Sequence, residues 1–176
     1  CIVRADSLAH RGEAGLREDL EALAIPFEQY EHEAVFTVAE SYGVKDAIPG
    51  AHTKNLFLKD TGSAFWLVTV PAEMRVNLKA LPAAIGCKRV SFGKPGDMER
   101  LLGLTPGSVT PLGAINAAPE TITVVLDRTL AEADRINVHP LRNTATIGLS
   151  GADCLRLLEH WGHAPLVADI PAQEIP

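Results

Sequence analysis

Apolar positions along the chain follow two spacings, one typical of helices and one typical of strands. Leu16, Leu20 and Leu23 recur every three to four residues, which predicts an amphipathic helix over 12–24 that ends before Pro26. Further helices are predicted over 37–42, 77–85 (interrupted by Pro82), 97–102 (ended by Gly103) and 150–161, the last of them capped by Ser150. Strands are predicted over 27–31, 55–59, 64–70, 89–92, 122–127 and 144–149.

The clearest local feature is a β-hairpin, in which residues 55–59 and 64–70 are joined by the turn Asp60-Thr61-Gly62-Ser63. Residues 107–119 are rich in Gly and Pro and therefore predict a loop or a broken strand. Because helices and strands alternate irregularly, the fold class is predicted as α/β of the α+β type, a mixed sheet with flanking helices. No internal repeat or linker divides the chain, so we expect one domain over 1–176.

The composition is that of an ordinary globular protein. Of the 176 residues, 47% are hydrophobic and 22% are charged, which suits a chain with a full core and argues against a disordered one. No apolar run is long enough to span a membrane, and the first residues lack the pattern of a secretory signal. Cys1, Cys87 and Cys154 are far apart and form no metal-ligand pair. We therefore expect a cytoplasmic protein with no metal and no cofactor.

Charge is distributed unevenly along the chain. The net charge of -6 argues against a general nucleic-acid binder. Residues 45–100, however, carry nine basic and five acidic side chains, whereas the segments before and after them are acidic. If the basic side chains gather on one face, they form a surface that suits a phosphate backbone; the simpler alternative is an ordinary solvated surface.

Three polar or glycine-rich segments are candidates for chemistry, because the chain has no nucleophile elbow, phosphate-binding loop or dinucleotide fingerprint. In the first, Lys54 and Asn55 lead into an apolar strand, where an ammonium group can hold a phosphate or a carbonyl. The second is the loop 107–113, whose main-chain N–H groups can bind a ligand oxygen. The third contains His139 and Asn143. Taken singly, the first two are better explained by a surface lysine and a plain turn, and the third by a loop histidine and a turn asparagine that serve no ligand.

Taken together, these fragments resemble the YbaK/ProX prolyl-tRNA editing family, over about residues 16–165. The matching pieces occur in the family's order: His32 and Val35-Phe36-Thr37-Val38-Ala39-Glu40; His52-Thr53-Lys54-Asn55-Leu56-Phe57-Leu58-Lys59-Asp60; the Gly-x-x-x-Pro loop within Gly107-Ser108-Val109-Thr110-Pro111-Leu112-Gly113; and His139-Pro140 with Asn143-Thr144-Ala145. The stretch around Lys54 most resembles the free-standing Ala-tRNA(Pro) deacylases. The pair Leu141-Arg142 departs from the small polar residues expected there.

The resemblance implies a mostly antiparallel, curved sheet and a trans-acting deacylase that hydrolyses the ester of mischarged tRNA(Pro), with Ala-tRNA(Pro) as the expected substrate. It implies that Lys54 and Gly107 are catalytic. The substrate contacts that it implies come from a larger set: Asn55, Ser108, Thr110, Pro111, Gly113, His139 and Asn143. The expected partners are the acceptor end of aminoacylated tRNA(Pro) and, as a candidate, prolyl-tRNA synthetase; no membrane is expected.

Specificity is expected to come from a pocket too small for the prolyl group, since excluding a larger group is easier than rejecting a smaller one. Phe36, Val38 and Ile115 are candidate lining residues because they lie near the motifs. Two alternatives stay open: the same chemistry on Cys-, Ser- or Thr-tRNA, and a non-catalytic module that binds tRNA or a synthetase. A plain esterase is disfavoured, because the sequence shows no nucleophile with a base.

Overall fold

The structure is a computed structural model that describes residues 13–31, 51–72, 74–104, 109–117, 121–141 and 144–172. The helices are α1 Glu13–Ala22, α2 Leu81–Ile85, α3 Pro95–Leu102, α4 Arg128–Ala131 and α5 Gly151–His160, with the 3₁₀ helix η1 Pro111–Asn116. The strands are β1 Glu28–Glu31, β2 Ala51–Asp60, β3 Phe65–Pro71, β4 Val90–Phe92, β5 Thr123–Asp127, β6 Ile136–Val138, β7 Ala145–Leu149 and β8 Leu166–Ala168. The helix predicted over 37–42 lies outside the described residues.

Within the described part of the chain, eight strands form one sheet in the order β1-β7-β6-β2-β3-β5-β8, and β4 pairs with β2. β2 runs antiparallel to β3 and β4 but parallel to β6. The β3–β5 and β5–β8 pairs are parallel, and the β1–β7 and β6–β7 pairs are antiparallel. The predicted mixed, mostly antiparallel sheet with flanking helices is confirmed.

The core lies on both faces of the sheet, because successive side chains of a strand point to opposite faces. Phe57 and Leu67 face each other across β2 and β3 and belong to the first cluster, which includes residues of α1, α3, α5 and η1. Leu56 and Val68 belong to the second cluster, which includes residues of α2 and of the C-terminal segment around Ile170. Each fully buried leucine of such a core stabilises the fold by about 1.5–3 kcal/mol.

Three predicted boundaries were wrong, and each has a local cause. β2 begins at Ala51 rather than at Asn55, because its first two residues pair in parallel with β6. Only Leu81–Ile85 of the helix predicted over 77–85 is helical, and Pro82 lies in its first turn, where proline is tolerated, rather than interrupting it. The segment predicted as a loop over 107–119 contains η1, whose first turn is capped by Thr110.

Asp60 holds the β2–β3 hairpin together. Its carboxylate accepts hydrogen bonds from the N–H groups of Gly62 (2.8 Å) and Ala64 (3.0 Å) and from the indole Nε1 of Trp66 (3.2 Å). Burial by itself would raise the pKa of Asp60, but these hydrogen bonds outweigh it, and the pKa lies below its usual value. The charged form of Asp60 is therefore the form that the folded protein stabilises.

The Asp60 pKa predicts a loss of stability in acid. Because the folded pKa lies below the unfolded one, the stabilisation is complete above about pH 4 and is lost as the pH falls through the folded value. We expect Asp60→Asn to be less stable than the parent at pH 7 and to lose less stability between pH 6 and pH 3. Urea unfolding at a series of pH values measures both slopes. Parallel slopes for the two proteins would contradict this role of the carboxylate.

Candidate active site

The centre of the candidate site is a break in strand pairing along one edge of β2. On this edge β6 pairs with Ala51 and His52, and β4 pairs with residues 58–60. Gly93, just after β4, donates its N–H to the carbonyl of Phe57 (2.8 Å). Lys54, Asn55 and Leu56 pair with β3 on the other edge, but on this edge none of the described strands pairs with them, and we call these three residues the edge gap. At this break the main chain of Asn55 and the side chains of Lys54 and Asn55 lie at the same edge of the sheet.

The main chain of Asn55 points toward the edge gap. The N–H of Ala51 donates to the carbonyl of Arg135 on the β6 side (3.0 Å), and the carbonyl of Phe57 faces Gly93 on the β4 side. Main-chain groups alternate in direction along a strand, so those of Asn55 face the same edge. The N–H of Asn55 is therefore a fixed donor directed at whatever lies in the edge gap.

Lys54 and Asn55 lie on opposite faces of the sheet. Asn55 stands directly opposite Thr69 on the face of the first cluster, whereas Lys54 stands opposite Val70, a residue of the second cluster. The register runs without a bulge from Thr53 to Lys59, so the alternation holds throughout β2. Because no described strand continues the sheet at the edge gap, groups from both faces can reach one ligand there.

Asn55 joins the edge gap to Val109, which lies within the Gly-x-x-x-Pro loop. Its Nδ2 donates to the carbonyl of Val109 (2.9 Å), and its Oδ1 accepts from the hydroxyl of Thr69 (2.6 Å). Thr69 is fully buried, and Leu104 before the loop is buried in the first cluster. Leu104 and Val109 thus both lie on the face of Asn55.

The predicted ligand contacts at Thr110, Pro111 and Gly113 fall on buried residues. The Oγ1 of Thr110 accepts from the N–H of Leu112 (3.3 Å) and so caps η1. A Cβ on Gly113 would lie 2.7 Å from the Cδ1 of Leu104, so an alanine there would force the leucine side chain to shift. Contact of these three residues with a substrate stays a prediction.

His139 follows β6 directly and lies near Lys54. His52 pairs with Asn137 in the parallel β2–β6 register, and continuing that register by two residues brings Lys54 level with His139. The neighbouring β6 residues Ile136 and Val138 face the first cluster, so alternation directs His139 to the face of Lys54. Extending the register thus places His139 level with Lys54, and their contact with one ligand stays a prediction.

The ring orientation of His139 is set by the main chain. Its Nδ1 lies 3.1 Å from the carbonyl of Ala145. A carbonyl only accepts, so Nδ1 carries the hydrogen, and in the neutral ring Nε2 carries the lone pair. His139 can therefore accept a hydrogen bond through Nε2 from a hydroxyl group or a water molecule.

Three predicted site residues, Gly107, Ser108 and Asn143, lie outside the described residues, as do the candidate lining residues Phe36 and Val38. Ile115, the third lining candidate, is partly buried and packs against the first cluster. Their roles stay predictions.

Sequence reasoning missed the edge gap itself and the contribution of Thr53. The hydroxyl of Thr53 donates to the carbonyl of Asn137 (2.6 Å) and so joins β2 to β6 immediately before Lys54. Because β6 has only three residues and pairs with a strand about 85 positions earlier, no short-range sequence pattern predicts it. A β-branched residue before Lys54 was the one available signal, and it is weak.

The described cysteines do not supply a nucleophile. Cys87 and Cys154 are free thiols. Burial raises the pKa of Cys154 to about 12 and also raises the pKa of Cys87, so both thiols stay protonated at neutral pH. None of the described helices has the length and apolar character needed to cross a bilayer.

Comparison with known proteins agrees with this geometry. The aminoacyl-tRNA editing domain family matches residues 32–157, a span that includes the whole edge gap and His139. A Bos taurus protein, prolyl-tRNA synthetase associated domain-containing protein 1, is 37% identical over 159 residues, 88% of this chain and 92% of its own. The prolyl-tRNA editing protein ProX of Acetoanaerobium sticklandii is 32% identical over 145 residues, 82% of this chain and 88% of its own.

Solved structures support the same fold. A protein proposed as a trans-editing enzyme for prolyl-tRNA synthetase superposes with a TM-score of 0.70 at 20% identity, covering 92% of this chain and 97% of its own. Identity at that level speaks for the architecture alone, whereas the sequence match extends through the candidate site. The chain is a member of the aminoacyl-tRNA editing domain family.

Proposed function

We propose that this protein is a trans-acting aminoacyl-tRNA deacylase that hydrolyses the ester of mischarged tRNA(Pro), with Ala-tRNA(Pro) as its main substrate. The observation that carries the proposal is the hydrogen bond from Asn55 to Val109, which holds this residue of the Gly-x-x-x-Pro loop beside the edge gap. Membership of the editing family and the ProX relative support ester hydrolysis on tRNA. In this proposal residues 1–176 act as one editing domain in the cytoplasm.

The proposed chemistry relies on preorganised donors rather than on a nucleophilic side chain. The ester carbonyl lies in the edge gap, where the N–H of Asn55 and main-chain N–H groups around Gly107 stabilise the developing oxyanion. Lys54 holds the 3′ end of the tRNA or the aminoacyl group from the opposite face. One such donor typically contributes a factor of about 10²–10³ to the rate, so these groups can supply much of the catalysis without a nucleophilic side chain. The neighbouring hydroxyl of the terminal ribose accepts a hydrogen bond from the attacking water and relays its proton to the leaving ribose oxygen, so that free alanine and uncharged tRNA are released.

Discrimination between alanine and proline follows from size. The site must hold a small acyl group between the Gly107 loop and β2, and the bulkier prolyl ring clashes with a pocket built for alanine. The close packing of Gly113 against Leu104 supports this part of the proposal, because it holds η1 against the buried residue that precedes the loop. Cys- and Ser-tRNA, whose acyl groups are similar in size to alanine, are the substrates most difficult to exclude.

A panel of aminoacyl-tRNAs tests the function directly. We expect the purified protein to hydrolyse Ala-tRNA(Pro) well above the spontaneous rate and to leave Pro-tRNA(Pro) intact, with Cys-, Ser- and Thr-tRNA as comparison substrates. Faster hydrolysis of one of these three would retain the chemistry and reassign the substrate. Hydrolysis of none of them would favour a non-catalytic binding module instead.

Two substitutions of His139 distinguish a structural role of Nδ1, which bonds the carbonyl of Ala145, from contact of Nε2 with the substrate. Asparagine keeps a donor near the place of Nδ1 and can still bond the carbonyl of Ala145, whereas glutamine reaches toward the place of Nε2. If Nε2 contacts the substrate, we expect His139→Asn to lower kcat/KM by about tenfold and His139→Gln to retain more activity, since one hydrogen bond to an uncharged group is worth about 0.5–1.5 kcal/mol. Full activity of His139→Asn would limit the residue to a structural role.

A further inference from the structure

The edge strand β4 presents a large apolar side chain to solvent. Phe92 is 62% exposed, and among the described residues the other exposed large apolar side chain is Leu166, on the opposite edge strand β8. A ring this exposed contributes little to the core, and a lone apolar side chain at the surface needs no function. Its position and its neighbours are what distinguish Phe92 from Leu166.

Phe92 stands at the border of the edge gap. It pairs with Leu58, and the next residue, Gly93, bonds the main chain of Phe57. Residues directly opposite in a sheet project from the same face, so Phe92 lies on the face of Leu58 and Lys54. Lys54 is four residues from Leu58 along β2, a distance of about 13 Å at the usual rise of a strand. A short stretch of single-stranded nucleic acid can bridge that span.

The neighbours of Phe92 are basic in a chain that is acidic overall. Residues 86–96 include Lys88, Arg89 and Lys94 and no acidic residue, and all three cations are exposed. Lys94 precedes α3 without using its side chain to cap the helix. Lys88 and Arg89 lie beside the β2–β3 turn, whereas Lys94 follows Gly93, which borders the edge gap, and its charge also interacts with Asp97 of α3.

Building on the proposed function, we propose that the Phe92 ring stacks on a base in the single-stranded 3′ end of the tRNA, while Lys94 contacts a flanking phosphate. Aromatic rings set among cations are the usual means of binding unpaired nucleotides, because every base offers a π-face and every nucleotide a negative charge. A protein partner would require a wider apolar area than this one ring, since the residues beside it are charged. The contact would hold the acceptor end while the terminal ester reaches Lys54.

Binding of uncharged tRNA(Pro) to substituted proteins tests the stack without relying on catalysis. We expect Phe92→Ala and Phe92→Leu to weaken binding by about tenfold, the scale of one base–aromatic stack, and Phe92→Trp to retain it. Leu166→Ala is the matched control, an equally conservative loss of exposed apolar surface on the far edge, and should bind as the parent does. Lys94→Ala should lower the slope of log K against log salt by about 0.7.

A second RNA locates the contact. With tRNA(Pro) that lacks its terminal CCA, the parent and Phe92→Ala should bind equally, because the stacked base is gone. Unchanged affinity of Phe92→Ala for intact tRNA would overturn the proposal, as would full affinity of Phe92→Leu or a change in self-association alone. A deacylation assay separates the two proposals. If the parent protein binds tRNA through Phe92 but hydrolyses no aminoacyl ester, the proposed deacylase function is refuted and the proposed base contact of Phe92 is not.

Discussion

Replacing Lys54 with alanine is expected to lower the rate of Ala-tRNA(Pro) deacylation by about 100-fold under single-turnover conditions. The side chain lies at the edge gap, level with His139 in the strand register, and its ammonium group is the proposed holder of the substrate end. Loss of one preorganised charged donor in a hydrolytic site typically costs a factor of about 10²–10³. Because Lys54 is only half-buried, the urea midpoint should change little.

Lys79 provides the matched control for this substitution. It is an exposed lysine of the same basic segment, located before α2 and outside the edge gap. Lys79→Ala should hydrolyse Ala-tRNA(Pro) at the parent's rate. An Lys54→Ala protein with the parent's turnover and the parent's stability would remove Lys54 from the mechanism.

Asn55→Ala is expected to reduce both stability and activity, because Asn55 makes two hydrogen bonds that nothing nearby replaces. Without the Asn55 side chain, the fully buried hydroxyl of Thr69 and the carbonyl of Val109 each lose this hydrogen-bond partner. An unsatisfied buried polar group costs about 1–3 kcal/mol, so we expect the free energy of unfolding to fall by about 2 kcal/mol. Activity should fall by about 100-fold, because the Gly107 loop loses its attachment to β2 and its donors lose their alignment.

The substitutions Thr69→Val and Asn55→Asp each remove one of the two hydrogen bonds of Asn55. They therefore separate its effect on stability from its effect on activity. Valine removes the hydroxyl but leaves the bond from Asn55 to Val109, so stability should fall by about 1 kcal/mol with activity largely kept. Aspartate keeps an acceptor for Thr69 but sets a carboxylate oxygen against the Val109 carbonyl, so activity should fall as it does in Asn55→Ala. Urea unfolding and single-turnover deacylation measure the two quantities. Equal activity losses in Thr69→Val and Asn55→Asp would contradict the role given to Val109.

The sequence predicted those parts of the fold that short-range patterns determine. The β2–β3 hairpin, the helix capped by Ser150 and the helix ended by Gly103 all occur where expected. Ser150 accepts from the N–H of Asp153, and Gly103 adopts the left-handed conformation (φ 68°) that favours glycine. Such signals are local, since a few adjacent residues decide the geometry.

Pairing between strands that are far apart in the chain could not be predicted from the sequence, and this pairing determines the geometry of the candidate site. β6 and β8 have three residues each, too few to show a period, and both join the sheet by parallel pairing with distant strands. Without β6 the first two residues of β2 look like loop, and the edge gap cannot be recognised. The motifs predicted Lys54, Asn55 and His139 as site residues. Their mutual arrangement depends on β6, a strand that no sequence pattern predicts.

The most direct test of the account is a crystal structure with 3′-alanylamino-adenosine, an analogue of the tRNA end in which an amide replaces the labile ester. The account predicts that the alanyl group lies in the edge gap, with its carbonyl near the N–H of Asn55 and its adenosine end within reach of Lys54 and His139. An analogue that binds in order elsewhere on the protein, with the edge gap closed to it, would contradict the account.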